Sequence, residues 1–239
     1  MQFDPLFSKT YPVPERECDA DGKCRLPYLL RCMEDAAFAD AERIGQSSDL
    51  LREKYDVSWM IYQNVLDVTA LPEAGSRICV QTCYGGVQGA AASRRYDVLQ
   101  NGKPLIRCIQ VWVVVHMGTR KLANPQKLPE LMQPGFPHPS GHRRTLRAEP
   151  SLQHAGVGSV DKGDLDFNGH MNNVRYVEHA LPYLPEGCFT GRFRLQLEYR
   201  YELLQGQHYD CLMADTGDTK QVVFRADGKD CFLLQISAG

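Results

Sequence analysis

The chain has 239 residues, 23% of them charged, and a formal net charge of −2. That length suits one large domain or two small ones, and the balanced charge argues against nucleic acid as a partner. The longest strongly apolar run, Val111 to Val115, is far too short to cross a bilayer, so no membrane span is expected.

The N-terminus, Met1-Gln2-Phe3-Asp4-Pro5, has no cationic stretch leading into an apolar one, and no Arg- and Ser-rich transit segment follows. The nine cysteines form no spacing framework and no CxxC pair or His cluster, even though Cys79 and Cys83 share a face of a predicted strand. They read as reduced thiols, most of them small buried hydrophobes, and a cytoplasmic setting without metal or cofactor is expected.

In chain order, an acidic loop Asp19-Ala20-Asp21-Gly22 opens a first helix. Leu26, Leu29, Leu30, Met33, Ala37 and Ala41 form its apolar stripe, Glu34, Asp35, Asp40 and Glu42 lie elsewhere, and it should end near Gly45. Strands are expected over Trp59 to Val68, Arg77 to Tyr84, Ala91 to Gln100 and Leu105 to His116, with Asn101-Gly102 as a hairpin turn. Val111 to Val115 does not alternate, which predicts a central strand covered on both faces.

Residues 133–150, with four prolines and two glycines, read as a stiff linker. A second acidic loop, Asp164-Leu165-Asp166, then precedes a helix running to about Leu181, stopped by Pro182 and Pro185. Strands follow over Arg192 to Tyr201, His208 to Asp215, Lys220 to Arg225 and Cys231 to Ile236, with Asp227-Gly228 in the turn position that Asn101-Gly102 holds earlier. In the first of these, Phe193, Leu195, Leu197, Tyr199 and Tyr201 alternate with Arg192, Arg194, Gln196, Glu198 and Arg200, the pattern of a strand with one face in water. The order of elements is used twice: an α+β arrangement with units expected over 1–132 and 151–239.

The densest polar stretch is Asp164-Leu165-Asp166-Phe167-Asn168-Gly169-His170-Met171-Asn172-Asn173, at the start of the second helix. A base for water and donors for an oxyanion are what acyl transfer needs. Simpler readings explain parts of it: Asn168 or Asn172 as an N-cap, Gly169 as a turn residue, His170 as a core histidine. Asp164-x-Asp166-x-Asn168-Gly169 also matches half of a calcium loop, but the twelfth position, which should be Glu, is Arg175. Glu178 and His179 read as helix-surface residues.

The doubled pattern, with Asp166-x-Asn168-x-His170-x-Asn172-Asn173-Val174-x-Tyr176, resembles the acyl-acyl carrier protein thioesterase family, whose fold is a tandem (double) hotdog. Trp59, Val111-Trp112-Val113-Val114-Val115 before Gly118-Thr119-Arg120-Lys121, and Leu197-Glu198-Tyr199-Arg200-x-Glu202 extend the likeness over residues 8–236. The resemblance implies hydrolysis of fatty acyl-acyl carrier protein thioesters. It maps the catalytic set onto Asp166, Asn168, His170 and Glu202, although alternation alone would leave Glu202 a solvated strand-end carboxylate. Many plant members carry a cysteine after that glutamate; here the residue is Leu203, which favours a carboxylate mechanism.

Glu202 or Asp166 is then the general base, with a covalent anhydride on Asp166 as the rival. Asn168 positions water or carbonyl, His170 assists the base or the departing thiolate, and backbone N–H groups near Gly169 and Met171 hold the oxyanion. The first loop, Asp19 to Cys24, keeps acids but lacks the Asn-x-His-x-Asn-Asn set, so that half should shape the acyl pocket. The absent plastid segment suggests a bacterial cytosolic version.

Acyl-coenzyme A hydrolysis, a non-catalytic acyl-binding module and a 3-hydroxyacyl thioester dehydratase are the alternatives on the same fold. An acidic carrier protein calls for a basic patch, for which Arg94-Arg95, Arg120-Lys121 and Arg143-Arg144 with Arg147 are candidates. Either a monomer or a homodimer is compatible with a doubled unit.

Overall fold

A computed structural model describes residues 6–133, 135 and 145–239. The chain divides into two compact units, residues 1–62 with 71–143 and residues 63–70 with 144–239.

In the first unit, β1 (Phe7–Pro12) leads through the acidic loop to α1 (Leu26–Arg43) and α2 (Ser48–Tyr55). Then come β2 (Val57–Val68), β3 (Arg77–Gln88), β4 (Ala91–Gln100) and β5 (Lys103–His116). The strands lie in the order β1-β3-β4-β5-β2, and α1 packs on β1 and β3. β5 is thus an inner strand, and Val111, Val113, Val114 and Val115 are all buried on it, which accounts for the missing alternation. Asn101 and Gly102 both have positive φ (53° and 75°), the turn that matches strand twist in a tight hairpin.

α1 buries the expected stripe from Leu26 to Ala37 and leaves Ala41 partly exposed, whereas Asp40 beside it is fully buried. Its carboxylate meets Arg94 on β4 at 2.5 Å and Arg43 at 2.6 Å, so the helix carries a charge into the core because a partner waits there. α2 and β1 lie outside the elements expected from the sequence. α2 is capped by the Ser47 hydroxyl, and its buried Leu51 joins Val57, Val114 and Leu131 in a core cluster flanked by Trp59.

The second unit holds β6 (Gln153–Ser159), α3 (Asn173–Ala180), β7 (Phe193–Tyr199), β8 (His208–Asp215), β9 (Thr219–Ala226) and β10 (Lys229–Ala238). Its sheet runs β7-β10-β9-β8-β6, all antiparallel, and residues 63–68 at the end of β2 pair with β7. The helix expected to be long has eight residues, followed by a single 3-10 turn, Leu181–Tyr183, because Pro182 cannot continue the hydrogen-bond ladder. Tyr176 of α3 sits among Tyr199, Phe224 and Phe232 at centroid separations of 5.3–6.4 Å.

The strand assigned one wet face is corrected on both counts. Glu198, expected in water, is fully buried, and Tyr201, expected on the core face, lies beyond the strand and is exposed. The Glu198 carboxylate accepts from Arg200 Nε (2.7 Å), Leu146 N (2.8 Å) and Gln63 Nε2 (3.3 Å). Leu146 itself packs on Val223 and Leu233. The end of the expected linker is therefore part of this unit, and it covers the face that alternation assigned to solvent. Pro134, Pro137, Pro139, Gly141, Arg143 and Arg144 lie outside the described residues.

Candidate active site

The loop before α3 is a tight turn built on Asp166. Its Oδ1 accepts the N–H of Asn168 at 2.8 Å and of His170 at 3.1 Å, while Asn168 Nδ2 donates to Oδ2 at 3.3 Å. The backbone closes the same turn: Asp166 N to His170 O at 2.7 Å and Gly169 N to Asp166 O at 3.1 Å, with Gly169 at φ 81°. Two simple readings hold for two residues, since Gly169 is the turn glycine and Asn172 the N-cap, its Oδ1 accepting from Val174 N at 2.9 Å. They leave Asn168, His170 and Asn173 for other work.

His170 and the segment after β7 are brought together by the backbone. Met171 N donates to Leu203 O at 2.9 Å, and His170 bridges to Leu204. Tyr176, on the buried face of α3, accepts Leu203 N–H on its hydroxyl at 2.9 Å; burial holds its phenol well above the ordinary range. Glu202 is thereby placed with Oε2 3.4 Å from His170 Nε2, the two side chains 30% and 19% exposed. Acid and imidazole are in contact yet within reach of solvent, as a water-activating pair must be. All four candidates, Asp166, Asn168, His170 and Glu202, thus fall in one loop-and-strand-end cluster. The oxyanion donors do not fall where expected: the N–H groups of Gly169 and Met171 are spent on Asp166 O and Leu203 O. The N–H of Asn173, first residue of α3, has no acceptor among the described residues.

The first loop repeats this frame. Asp19 Oδ1 accepts from Asp21 N (3.1 Å) and Lys23 N (2.8 Å), Asp19 N donates to Lys23 O (2.8 Å), and Gly22 turns at φ 70°. Cys24 N donates to Pro72 O at 2.8 Å as Met171 N does to Leu203 O. The turn aspartate therefore belongs to the fold, and the two loops differ in the side chains they carry: Asn168 for Asp21, His170 for Lys23, Asn172 for Arg25. Lys23 pairs with Glu73 at 2.9 Å, in an exposed salt bridge.

Asp164 and His179, both named from the sequence, take roles that were not expected of them. Asp164 is buried, and its carboxylate accepts Asp161 N–H at 2.8 Å, pairs with the Arg175 guanidinium (Nε at 3.1 Å) and lies 3.2 Å from His179 Nε2. Arg175, which breaks the calcium pattern, is thus the partner of that pattern's first acid. His179, read as a surface residue, is half-buried and joins Asp164 to the Tyr209 hydroxyl, 2.5 Å from Nδ1. Helical spacing placed His179 on the polar side; the partner on β8 is 30 residues away and leaves no local signal.

Repeated helix-on-antiparallel-sheet units with this loop define a tandem hotdog protein. Solved structures share the arrangement: an acyl-ACP thioesterase from Bacteroides thetaiotaomicron (TM-score 0.85, 18% identity, 99% of this chain and 98% of that one). The 12:0-ACP thioesterase from Umbellularia californica is equally similar (TM-score 0.84, 19% identity, 99% and 98%). The sequence matches the acyl-ACP thioesterase N-terminal domain over residues 4–131 and the C-terminal domain over 158–229, and the chain belongs to that family. It is 24% identical over 254 residues to the chloroplastic dodecanoyl-[acyl-carrier-protein] hydrolase of Cinnamomum camphora, covering 98% of this chain and 65% of that protein. A palmitoyl-acyl carrier protein thioesterase from Cuphea hookeriana is 25% identical over 84% of this chain and 53% of its own length. The chain spans about two thirds or less of the plant relatives it matches.

Proposed function

We propose that the protein hydrolyses fatty acyl-acyl carrier protein thioesters to free fatty acid and holo carrier protein, in fatty acid biosynthesis. The observation that carries this is the His170–Glu202 contact at 3.4 Å beside the Asp166 turn, in a chain of this family. Glu202 is the general base: it takes a proton from water as the water oxygen attacks the thioester carbonyl. Asn173 N–H, at the positive end of α3, and the Asn168 side chain stabilise the oxyanion. The C–S bond then breaks, and the proton returns through His170 to the pantetheine thiolate.

Asp166 positions Asn168 and His170. Its Oδ1 already holds two N–H groups, and Asp19 does the same work in a loop without the catalytic set. This favours direct attack of water over a covalent anhydride on Asp166. A reducing, cytoplasmic setting is supported by nine free thiols. The carrier partner docks by charge; Arg120, Lys121 and Arg147 are exposed and suit that role, whereas Arg94 is buried on Asp40. No helix among the described residues is long and apolar enough to cross a membrane. The protein works as a monomer or homodimer.

The test is thiol release from acyl carrier protein thioesters, with acyl-coenzyme A in parallel, for wild type and Glu202→Gln. Carrier-dependent turnover lost in the variant supports the reading. Preference for coenzyme A moves the partner, and no release from either substrate overturns hydrolysis.

A further inference from the structure

Asn64 lies on the end of β2, opposite Leu197 of β7, in the second unit. Residues directly opposite in an antiparallel pair share a face. Gln63 and Glu198 take one face and bond to each other; Asn64 takes the other, with Leu197 and, by alternation, Leu195 and Tyr199. That second face carries α3: Tyr199 meets Tyr176 edge-on at 5.7 Å, and its hydroxyl donates to the carbonyl of Asn173, the first residue of the helix. Asn64 therefore faces the side of the sheet on which the proposed oxyanion donor sits, two strand positions from the residue that holds it.

Asn64 is 2% exposed, and its carbonyl oxygen Oδ1 has no hydrogen-bond partner among the described residues. Among the described residues it is the one fully buried polar side chain left in this state. Gln63 donates to Glu198, Gln110 accepts from Tyr96 at 2.6 Å, and Gln221 donates to Arg147 O at 2.9 Å. Trp112 Nε1 is also buried without an acceptor among the described residues, but that side chain is only partly buried, and Arg52, Arg95 and Arg175 place guanidinium nitrogens on carboxylates. A strand facing a helix normally offers an apolar residue at such a site, since an unpaired buried amide carbonyl is destabilising.

A carbonyl can only accept. A saturated acyl chain donates nothing, so an apolar chain alone would leave Asn64 as costly bound as free. Resting on the thioesterase reading above, we propose that Asn64 Oδ1 accepts a hydrogen bond from a hydroxyl of the acyl chain near the thioester, and that the preferred substrates are 3-hydroxyacyl thioesters. A site built to bond a hydroxyl discriminates far more strongly than one that counts methylenes, because the analogue without it leaves the acceptor buried and unpaired.

The experiment compares kcat/KM for 3-hydroxyacyl and saturated acyl carrier thioesters of equal length, in wild type and Asn64→Leu. The expected result is a preference for the hydroxylated chain of about tenfold or more in wild type, collapsing towards unity in the variant. Equal rates in wild type overturn the proposal without any variant. So does a preference that survives Asn64→Leu. An equal loss on both chains, absent with a thioester whose thiol arm lacks amides, assigns the donor to the pantetheine arm and also overturns it. If Asn64→Leu lowers the melting temperature, Asn64→Val, smaller and equally without an acceptor, replaces it. If neither thioester is turned over, hydrolysis is wrong, and calorimetric affinity for free 3-hydroxy acid against plain acid decides the role of Asn64: equal affinities reject it.

Discussion

Lys23 occupies in the first acidic turn the position that His170 occupies in the second. Each donates its backbone N–H to the Oδ1 of the aspartate four residues before it, at 2.8 Å and 3.1 Å. The side chains then diverge, Lys23 to an exposed Glu73 and His170 to a sheltered Glu202. One backbone frame thus carries two different side-chain pairs, and the aspartate common to both belongs to the turn.

From this follows a division between the two acids of the site. Glu202→Gln removes the proposed base and should lower kcat by about 10²–10⁴ with little change in KM. Asp166→Asn keeps an oxygen for the two backbone N–H groups and should stay within about tenfold of wild type, while Asp166→Ala, which leaves both donors unpaired, should be far worse. Quenched steady-state samples should show no acylated protein by mass spectrometry. An Asp166→Asn enzyme as inactive as Glu202→Gln, or an acyl adduct, would reinstate the anhydride.

Thiol chemistry gives a second check. Burial raises the Cys24 thiol to about 12 and, in the same way, Cys32 to about 11, so neither forms appreciable thiolate at neutral pH. The position after Glu202 is Leu203, itself buried. Iodoacetamide at pH 8 should therefore leave Cys24 and Cys32 unmodified in the native protein and leave turnover intact. Rapid loss of activity on alkylation would show that a thiol takes part after all.

The pattern of residues that could and could not be read follows from the range of the interactions. Hairpin turns at Asn101-Gly102 and Asp227-Gly228, the α1 stripe and the inner strand Val111–Val115 are set by neighbours in sequence, and each reads correctly. The Asp166 turn is equally local. Glu198, Asp40 and His179 misread for one reason: each polar side chain is buried against a partner 30 to 54 residues away, or covered by a segment such as Leu146. Periodicity reports which face a residue takes; it carries no information about what later covers that face. Glu202 needed a family pattern because its role depends on a backbone bridge between His170 and Leu204.

Buried charge and docking charge separate by the same logic. Arg94 is 5% exposed and bound to Asp40, so Arg94→Leu leaves the buried carboxylate to Arg43 alone and should cost about 1.5–3 kcal/mol of stability, seen in urea unfolding. Reversing the exposed Arg120 and Lys121 should change stability by less than about 0.5 kcal/mol. It should raise KM for the carrier-bound substrate, more so at low salt, and spare a small soluble thioester. Equal losses on both substrates would remove this patch from the docking surface.

Tyr209, His179 and Asp164 form a chain behind the Asp166 turn, and its contribution can be measured. Asp164 bonds the side chains of α3 through its carboxylate and the N-cap residue through its carbonyl, which accepts Asn172 N–H at 2.8 Å. Tyr209, whose phenol burial pushes above its usual range, fixes the far side of the His179 ring. Space for that phenol exists because residue 158 is glycine: a Cβ there would lie 2.3 Å from the Tyr209 ring. Tyr209→Phe and His179→Ala should each destabilise by about 1 kcal/mol. They should couple in a double-mutant cycle by at least about 0.5 kcal/mol, because both act through one bond. Gly158→Ala should reproduce the Tyr209→Phe loss by displacing the ring with its hydroxyl intact. If the network holds the turn in register, kcat falls several-fold in all three with KM unchanged. Additive stability losses with kcat intact would show that the chain supports the fold alone.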